Sequence, residues 1–147
     1  MMMIEVPIIV IVCGEGGSGG ALGIAIGDRV MMQEFSVYSV IPPEGCAAIL
    51  WRDPAKKVEA ATALKITAPD MVALGLVDGI IPEPPGGAHN DYETATALLD
   101  QALSAALAEV SALTVPQRLD LRYAKFRRMG EEGTSFTDTS ETSNAEG

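Results

Sequence analysis

Short apolar runs alternate with glycine- or proline-rich breaks along the first half of the chain. Val6 to Val12 is a continuous apolar run with Pro7 near its start, where a missing N–H is tolerated, and it predicts a buried strand. It passes into Gly14-Glu15-Gly16-Gly17-Ser18-Gly19-Gly20, almost without side chains, and then into Ala21-Leu22-Gly23-Ile24-Ala25-Ile26. That order predicts strand, loop and a short helix from Gly19 or Gly20 to Ile26, stopped by Gly27. Val30 to Phe35 and Val37 to Ile41 predict two adjoining strands with no helix between them. Pro42-Pro43-Glu44-Gly45 predicts a break before a short apolar helix over Cys46 to Trp51. Ala55 to Leu64 and Pro69 to Gly75 read as helices, Leu76 to Ile81 as a strand, and Pro82 to His89 as a rigid loop. Asn90 with Glu93 makes a capping-box pattern ahead of Ala95, Leu98, Leu99, Ala102, Leu103, Ala106, Leu107 and Val110, which recur at helical spacing. Thr114 with Gln117 repeats the cap, and Leu119, Tyr123 and Phe126 predict the apolar side of a last helix ending near Met129.

Composition narrows the picture. Hydrophobic residues are 48% of the 147 residues, and the mean hydropathy of +0.22 is high for a chain free in solution. Much apolar surface must be buried, part of it against another chain. Glu131 to Gly147 is rich in Thr, Ser, Glu and Gly with Phe136 as its sole aromatic, so residues 130–147 are expected to be a disordered acidic tail and residues 1–129 the single domain. A net charge of −10 argues against binding nucleic acid along its backbone. The balance is uneven, because Arg118, Arg122, Lys125, Arg127 and Arg128 are half of the 10 basic residues. They read as a solvated helix face, with contact to an anionic ligand as the sharper alternative.

Cys13 and Cys46 read as small buried apolar residues, and with His89 alone beyond them no zinc-ligand spacing exists. The run from Val6 is preceded by Glu5, lacks a basic leader and is too short to span a bilayer, so a soluble cytoplasmic protein is expected. Met1 to Glu5 leads almost directly into a core strand, which suggests a chain beginning in mid-domain.

Candidate chemistry centres on the glycine stretch. The first N–H groups of a helix lack intrahelical partners, and with glycine there no Cβ keeps an anionic oxygen away from them. Such a place suits a phosphate, a carboxylate or a developing oxyanion; the plain alternative is a tight strand-to-helix crossing that needs glycine for packing. Two motif readings compete. Gly14, Gly16 and Gly19 fit G-x-G-x-x-G, with Glu34 about 20 residues on, where a dinucleotide fold places its ribose-binding acid. The short helix and adjoining strands fit that fold poorly. Gly16-Gly17-Ser18-Gly19-Gly20 also fits G-x-S-x-G, with Asp78 and His89 in the chain order of a hydrolase triad and Ser18 as nucleophile. No upstream segment is present to build the oxyanion hole of that fold.

Three longer stretches carry a family resemblance. GEGGSGGALGIAIGD at Gly14 to Asp28, SVYSVIPPEGCAAILWR at Ser36 to Arg52 and IIPEPPGGAH at Ile80 to His89 resemble the acetyl-coenzyme A carboxylase carboxyltransferase α-subunit family of bacteria and plastids. The similarity continues through Arg128 and leaves out little but the tail. Departures are Gly23 and Ala25, where the family usually has Ala and Gly, and Val37, Pro42, Pro85 and Asn90, where it usually has Thr, Ser, Leu and Arg. Members are about twice as long, so the resemblance implies the C-terminal part of the domain.

The resemblance implies an α/β crotonase-like fold, here a partial superhelix of β-β-α units followed by C-terminal helices. It implies transfer of CO2 from carboxybiotin on a biotin carboxyl carrier protein to acetyl-coenzyme A, giving malonyl-coenzyme A for fatty acid biosynthesis in an ATP-dependent complex. A carboxyltransferase β subunit in an α2β2 heterotetramer, a biotin carboxylase, and zinc on the β subunit alone would accompany it, in the cytoplasm or plastid stroma. By the same resemblance, backbone N–H groups of Gly19 and Gly20 form an oxyanion hole, Gly16, Gly17 and Ser18 belong to a substrate-binding loop, and Glu15 orients it. A truncated chain with only a scaffolding role remains the alternative of a different class, and the serine hydrolase a third.

Overall fold

A computed structural model describes residues 1–129; the acidic tail expected beyond them lies outside the described residues. Three parallel strands form the main sheet in the order β1-β3-β5: β1 (Ile9–Val12), β3 (Arg29–Gln33) and β5 (Gly79–Ile81). Ile9 is opposite Arg29, and Met31 is opposite Gly79. A second, two-stranded parallel sheet pairs β2 (Glu15–Gly17) with β4 (Val37–Ser39). The chain therefore goes from the main sheet to the small sheet to a helix, and does so twice: β1-β2 leads to α1 (Ser18–Ile24), and β3-β4 leads to α2 (Pro43–Leu50). A 3-10 turn (Pro54–Lys56), α3 (Lys57–Leu64) and α4 (Ala68–Ala73) then return the chain to β5, and α5 (Tyr92–Ser111) and α6 (Val115–Arg128) follow.

In β3 the period of two puts Val30 and Met32 into the core formed with Val12, Ala25, Ala68, Met71 and Val77. A smaller core of Cys46, Ala47 and Ala60 holds α2 against α3. Several sequence expectations change here. The first strand begins at Ile9, and Val6 is exposed. Glu15–Gly17 is a strand, where a loop was expected, and Val37–Ser39 pairs with it instead of extending the main sheet. α1 starts at Ser18 and is capped at Ala25, ahead of Gly27. Pro43, read as part of a break, opens α2 as a first-turn proline, a place where its missing N–H costs nothing. The fifth strand starts only at Gly79. The cap of α5 is Asp91, whose carboxylate accepts from the Thr94 N–H at 3.0 Å, while the Asn90 side chain donates to the Gly86 carbonyl. Cys46 is buried as expected; Cys13 is exposed.

The largest correction concerns the basic helix. Arg118 and Arg122 of α6 are buried, and Lys125 is half-buried, so this face looks inward. Arg122 holds both oxygens of Asp28 at 2.8 Å and donates to the carbonyls of Met1, Met2, Ile4 and Val6. Asp28 in turn accepts the Ile8 N–H, just ahead of β1. Lys125 donates to Asp78 at 2.7 Å and to the Asp28 carbonyl, and Asp78 also accepts the Val30 N–H. Burial lowers the pKa of Lys125, and its bond to Asp78 works against that shift. Arg118 donates to the Val110 carbonyl, which also accepts the Leu113 N–H, and to the carbonyls of Leu113 and Glu5, tying the end of α5 to the N-terminal segment. Asp28 and Asp78 directly precede β3 and β5, so α6 clasps the N-terminal end of the whole main sheet. Only Arg127 and Arg128 of the five face solvent.

The opposite end of the sheet is held by a carboxylate. Glu83 accepts the Phe35 N–H at 3.0 Å and the Ala88 N–H at 2.9 Å, and its own N–H donates to Glu34. Glu83→Ala removes an acceptor of two backbone donors, and a charged acceptor counts for more than a neutral one. The expected loss is about 1–2 kcal/mol in urea unfolding, together with faster amide exchange at Phe35 and Ala88. Unchanged exchange at both positions would show that Glu83 does not hold the loop.

Candidate functional site

β2 enters the site as an extended segment whose middle residue is pinched. A Cβ on Gly16 would lie 2.9 Å from Val12 Cγ1 and 3.1 Å from Tyr38 Cδ2, so the packing explanation for glycine holds there. It fails one residue past the turn. A Cβ on Gly19, Gly20 or Gly23 meets nothing within 4 Å among the described residues, and the chain's own fold leaves the glycine at these positions unexplained. Between the two regimes stands Ser18 with φ +63°, in the left-handed region that non-glycine residues rarely adopt. This kink turns β2 into α1 and presents the first turn of the helix outward.

No side chain caps α1, and no residue of it is buried. The N–H groups of Gly19 and Gly20 precede the first possible i−4 acceptor of the helix, so they are orphan donors by position. An apolar cavity of about 380 Å³ lies against the face of α1 that carries Ser18 and Leu22, lined also by Tyr38, Met71, Phe126 and Met129, while Gly19 and Gly20 do not line it. Donors left free at a helix start can receive an oxygen that gains charge, the more so where an occupant from outside the described chain excludes water.

The other candidates are not assembled around this point. His89 lines a separate cavity with Gly14, Gln33, Phe35 and Glu83, at the C-terminal end of the main sheet. Asp78 is engaged with Lys125 and the Val30 N–H, and among the described residues no hydrogen bond links Ser18, Asp78 and His89. Glu34 binds the Glu83 N–H, and the glycines meant to cradle a pyrophosphate are partly a paired strand. Partial burial, with the Glu83 carboxylate adding to it, pushes the Cys13 thiol up, away from thiolate reactivity. Among the described residues no three His, Cys, Asp or Glu side chains converge as they would around a metal ion. Nor is any single described helix long and apolar enough to cross a membrane. Sequence reasoning missed Tyr38, whose ring closes onto Gly16; its one signal was an aromatic residue in a strand following a glycine-rich one.

Comparison with known proteins decides the family. A family model described as acetyl co-enzyme A carboxylase carboxyltransferase-like matches residues 1–130. The chain belongs to this family. Among curated relatives, this carboxyltransferase-like chain is 61% identical over 130 residues to the acetyl-coenzyme A carboxylase carboxyl transferase subunit alpha of a Cyanothece species, covering 88% of the chain and 40% of the relative. The subunit of the same name from Geobacter metallireducens is 57% identical over 129 residues, covering 88% and 41%. The carboxyltransferase-like chain thus spans about two-fifths of the length of these relatives. Among solved structures, a Pseudomonas malonate decarboxylase hetero-tetramer in complex with coenzyme A aligns with TM-score 0.60 at 19% identity, over 86% of this chain and 52% of that one. That likeness shows the fold, a partial crotonase-like α/β fold, in agreement with the repeated β-β-α order.

Proposed function

We propose that the chain supplies the C-terminal part of an α subunit of acetyl-coenzyme A carboxylase carboxyltransferase, and that the Gly19 and Gly20 N–H groups serve it as an oxyanion hole. The observation that carries this reading is the pair of orphan donors, open to an occupant from outside the described chain, in a member of this family. In the transfer, the N–CO2 bond of carboxybiotin breaks, the ureido nitrogen it leaves takes up the methyl proton that acetyl-coenzyme A loses, and the new bond between that methyl carbon and CO2 gives malonyl-coenzyme A. The ureido oxygen and the thioester oxygen both gain negative charge on the way, and this chain's donors receive one of them. Gly16 and Gly17 then form the rigid strand before the site, Glu15 starts it, and Ser18 acts through its backbone kink, not its hydroxyl.

The other activated oxygen, the facing wall and the zinc belong on this reading to a β subunit in an α2β2 assembly. A biotin carboxyl carrier protein and a biotin carboxylase complete the system, in the cytoplasm or the plastid stroma. Exposed Leu22 and Ile24 on α1 and Ile49 and Leu50 on α2 suit burial against further protein. β1 is also an edge strand among the described residues, with one side unpaired.

The 147-residue chain alone is therefore expected to show no malonyl-coenzyme A decarboxylation and to associate in solution. Activity is expected only when the chain is completed at its N-terminal side to the length of its relatives and joined by a β subunit. Light scattering after size-exclusion chromatography, run beside the decarboxylation assay, reads both. A monomer that turns over without a β subunit would overturn the proposal, and covalent labelling of Ser18 by a fluorophosphonate would favour a hydrolase instead.

A further inference from the structure

The structure assigns to Tyr38 the task of fixing where the Gly19 and Gly20 donors stand, a role that rests on the oxyanion-hole reading above. The N-terminal end of α1 has little else to hold it, with no side-chain cap, no buried residue ahead of the core residue Ala25 at its other end, and a left-handed hinge at Ser18 joining it to β2. Tyr38 touches both sides of that hinge. In the β2–β4 register Tyr38 is the partner of Gly16, and its ring and Val12 close on the Gly16 backbone so tightly that no side chain fits between them. Its hydroxyl lies 3.4 Å from the Ala21 carbonyl in α1, a long contact that orients more than it binds. Burial raises the pKa of this hydroxyl, so it stays protonated and able to donate.

The support is itself anchored. The Tyr38 N–H donates to the Ile66 carbonyl at 3.0 Å and the neighbouring Val37 N–H to the Gly14 carbonyl at 2.8 Å, and the ring packs on the main core. One side chain thus links the core, the strand before the hinge and the helix after it. Donors that must meet a charge as it forms lose effect when displaced by a fraction of an ångström, so the ring acts on turnover and leaves ground-state binding alone. Tyr38 is a positioning residue on this account, with the ring contact at Gly16 carrying more of the effect than the hydroxyl.

In the complete α subunit with its β partner, Tyr38→Ala is expected to lower kcat about 10- to 100-fold with KM changed less than about twofold. Tyr38→Phe, which keeps the ring, is expected to restore most of the lost turnover. Should the alanine variant fail to fold, Tyr38→Leu keeps apolar bulk without the ring plane and is expected to fold with the same loss in kcat. Full kcat in the folded alanine or leucine variant overturns the assignment, as does a change confined to KM, which would place Tyr38 on the substrate. Gly19→Pro in the same assay separates the two levels. If it loses turnover while Tyr38→Ala does not, only the positioning role fails; if it does not lose turnover, the oxyanion-hole reading fails and the positioning role with it.

Discussion

Gly19→Pro, in an α subunit of full length paired with its β subunit, is expected to lower turnover by roughly two to three orders of magnitude, the usual effect of losing one oxyanion donor. Proline removes the N–H and its fixed φ fits a first helical turn, but it also restricts the left-handed Ser18 before it, so the thermal midpoint of this variant is read beside its turnover. Two controls make the result interpretable. Gly19→Ala keeps the donor and adds a methyl group into space where nothing of the described chain lies within 4 Å, so its thermal midpoint should match the parent. Any loss of turnover in that variant reports an occupant approaching from outside the chain. Ser18→Ala should retain most activity, since the hydroxyl has no assigned chemistry. Turnover that survives Gly19→Pro would sink the oxyanion-hole proposal, whatever the family.

Arg122→Ala is expected to carry the largest stability effect, about 3–5 kcal/mol, as found when one partner of a buried ion pair is removed. The Arg122 and Asp28 side chains are 0% and 5% exposed, so the abandoned carboxylate cannot recover much hydration. Four carbonyls of the N-terminal segment lose a donor in the same change. The double variant Arg122→Met with Asp28→Asn should recover part of the loss, because it removes the stranded charge. Urea unfolding at one fixed protein concentration measures this, association making the midpoint concentration-dependent. A loss below about 1 kcal/mol, typical of an exposed pair, would show that water reaches Asp28 and that the clasp is not what secures the sheet.

The contrast between these two sites explains what could be read from residues alone. α5 was legible because its apolar positions recur over 20 residues and only one period fits them. Its cap was misplaced because Asn90 and Asp91 are both good caps, and only the three-dimensional path selects the second. β2 was hidden because Glu15-Gly16-Gly17 has neither strand propensity nor alternation; it is a strand because β4 lies beside it. Gly19 and Gly20 were visible as glycines, but that packing explains Gly16 and not them needed the coordinates. Arg118 and Arg122 were read as surface because lone basic residues nearly always are, and their partners Asp28 and the N-terminal carbonyls are far away in sequence.

That distance orders events during synthesis. Asp28 waits for a guanidinium 94 residues further along, and its hold on the start of β1 is incomplete until then. β1, α1 and β3 emerge from the ribosome before α6, yet the clasp across the N-terminal ends of their sheet belongs to that later helix. Contacts of such long range form slowly, since the intervening chain must be ordered before they repay the loop closure. The nascent chain thus carries these apolar strands unsecured until α6 has emerged, a period in which chaperones or a partner subunit already present would find them exposed.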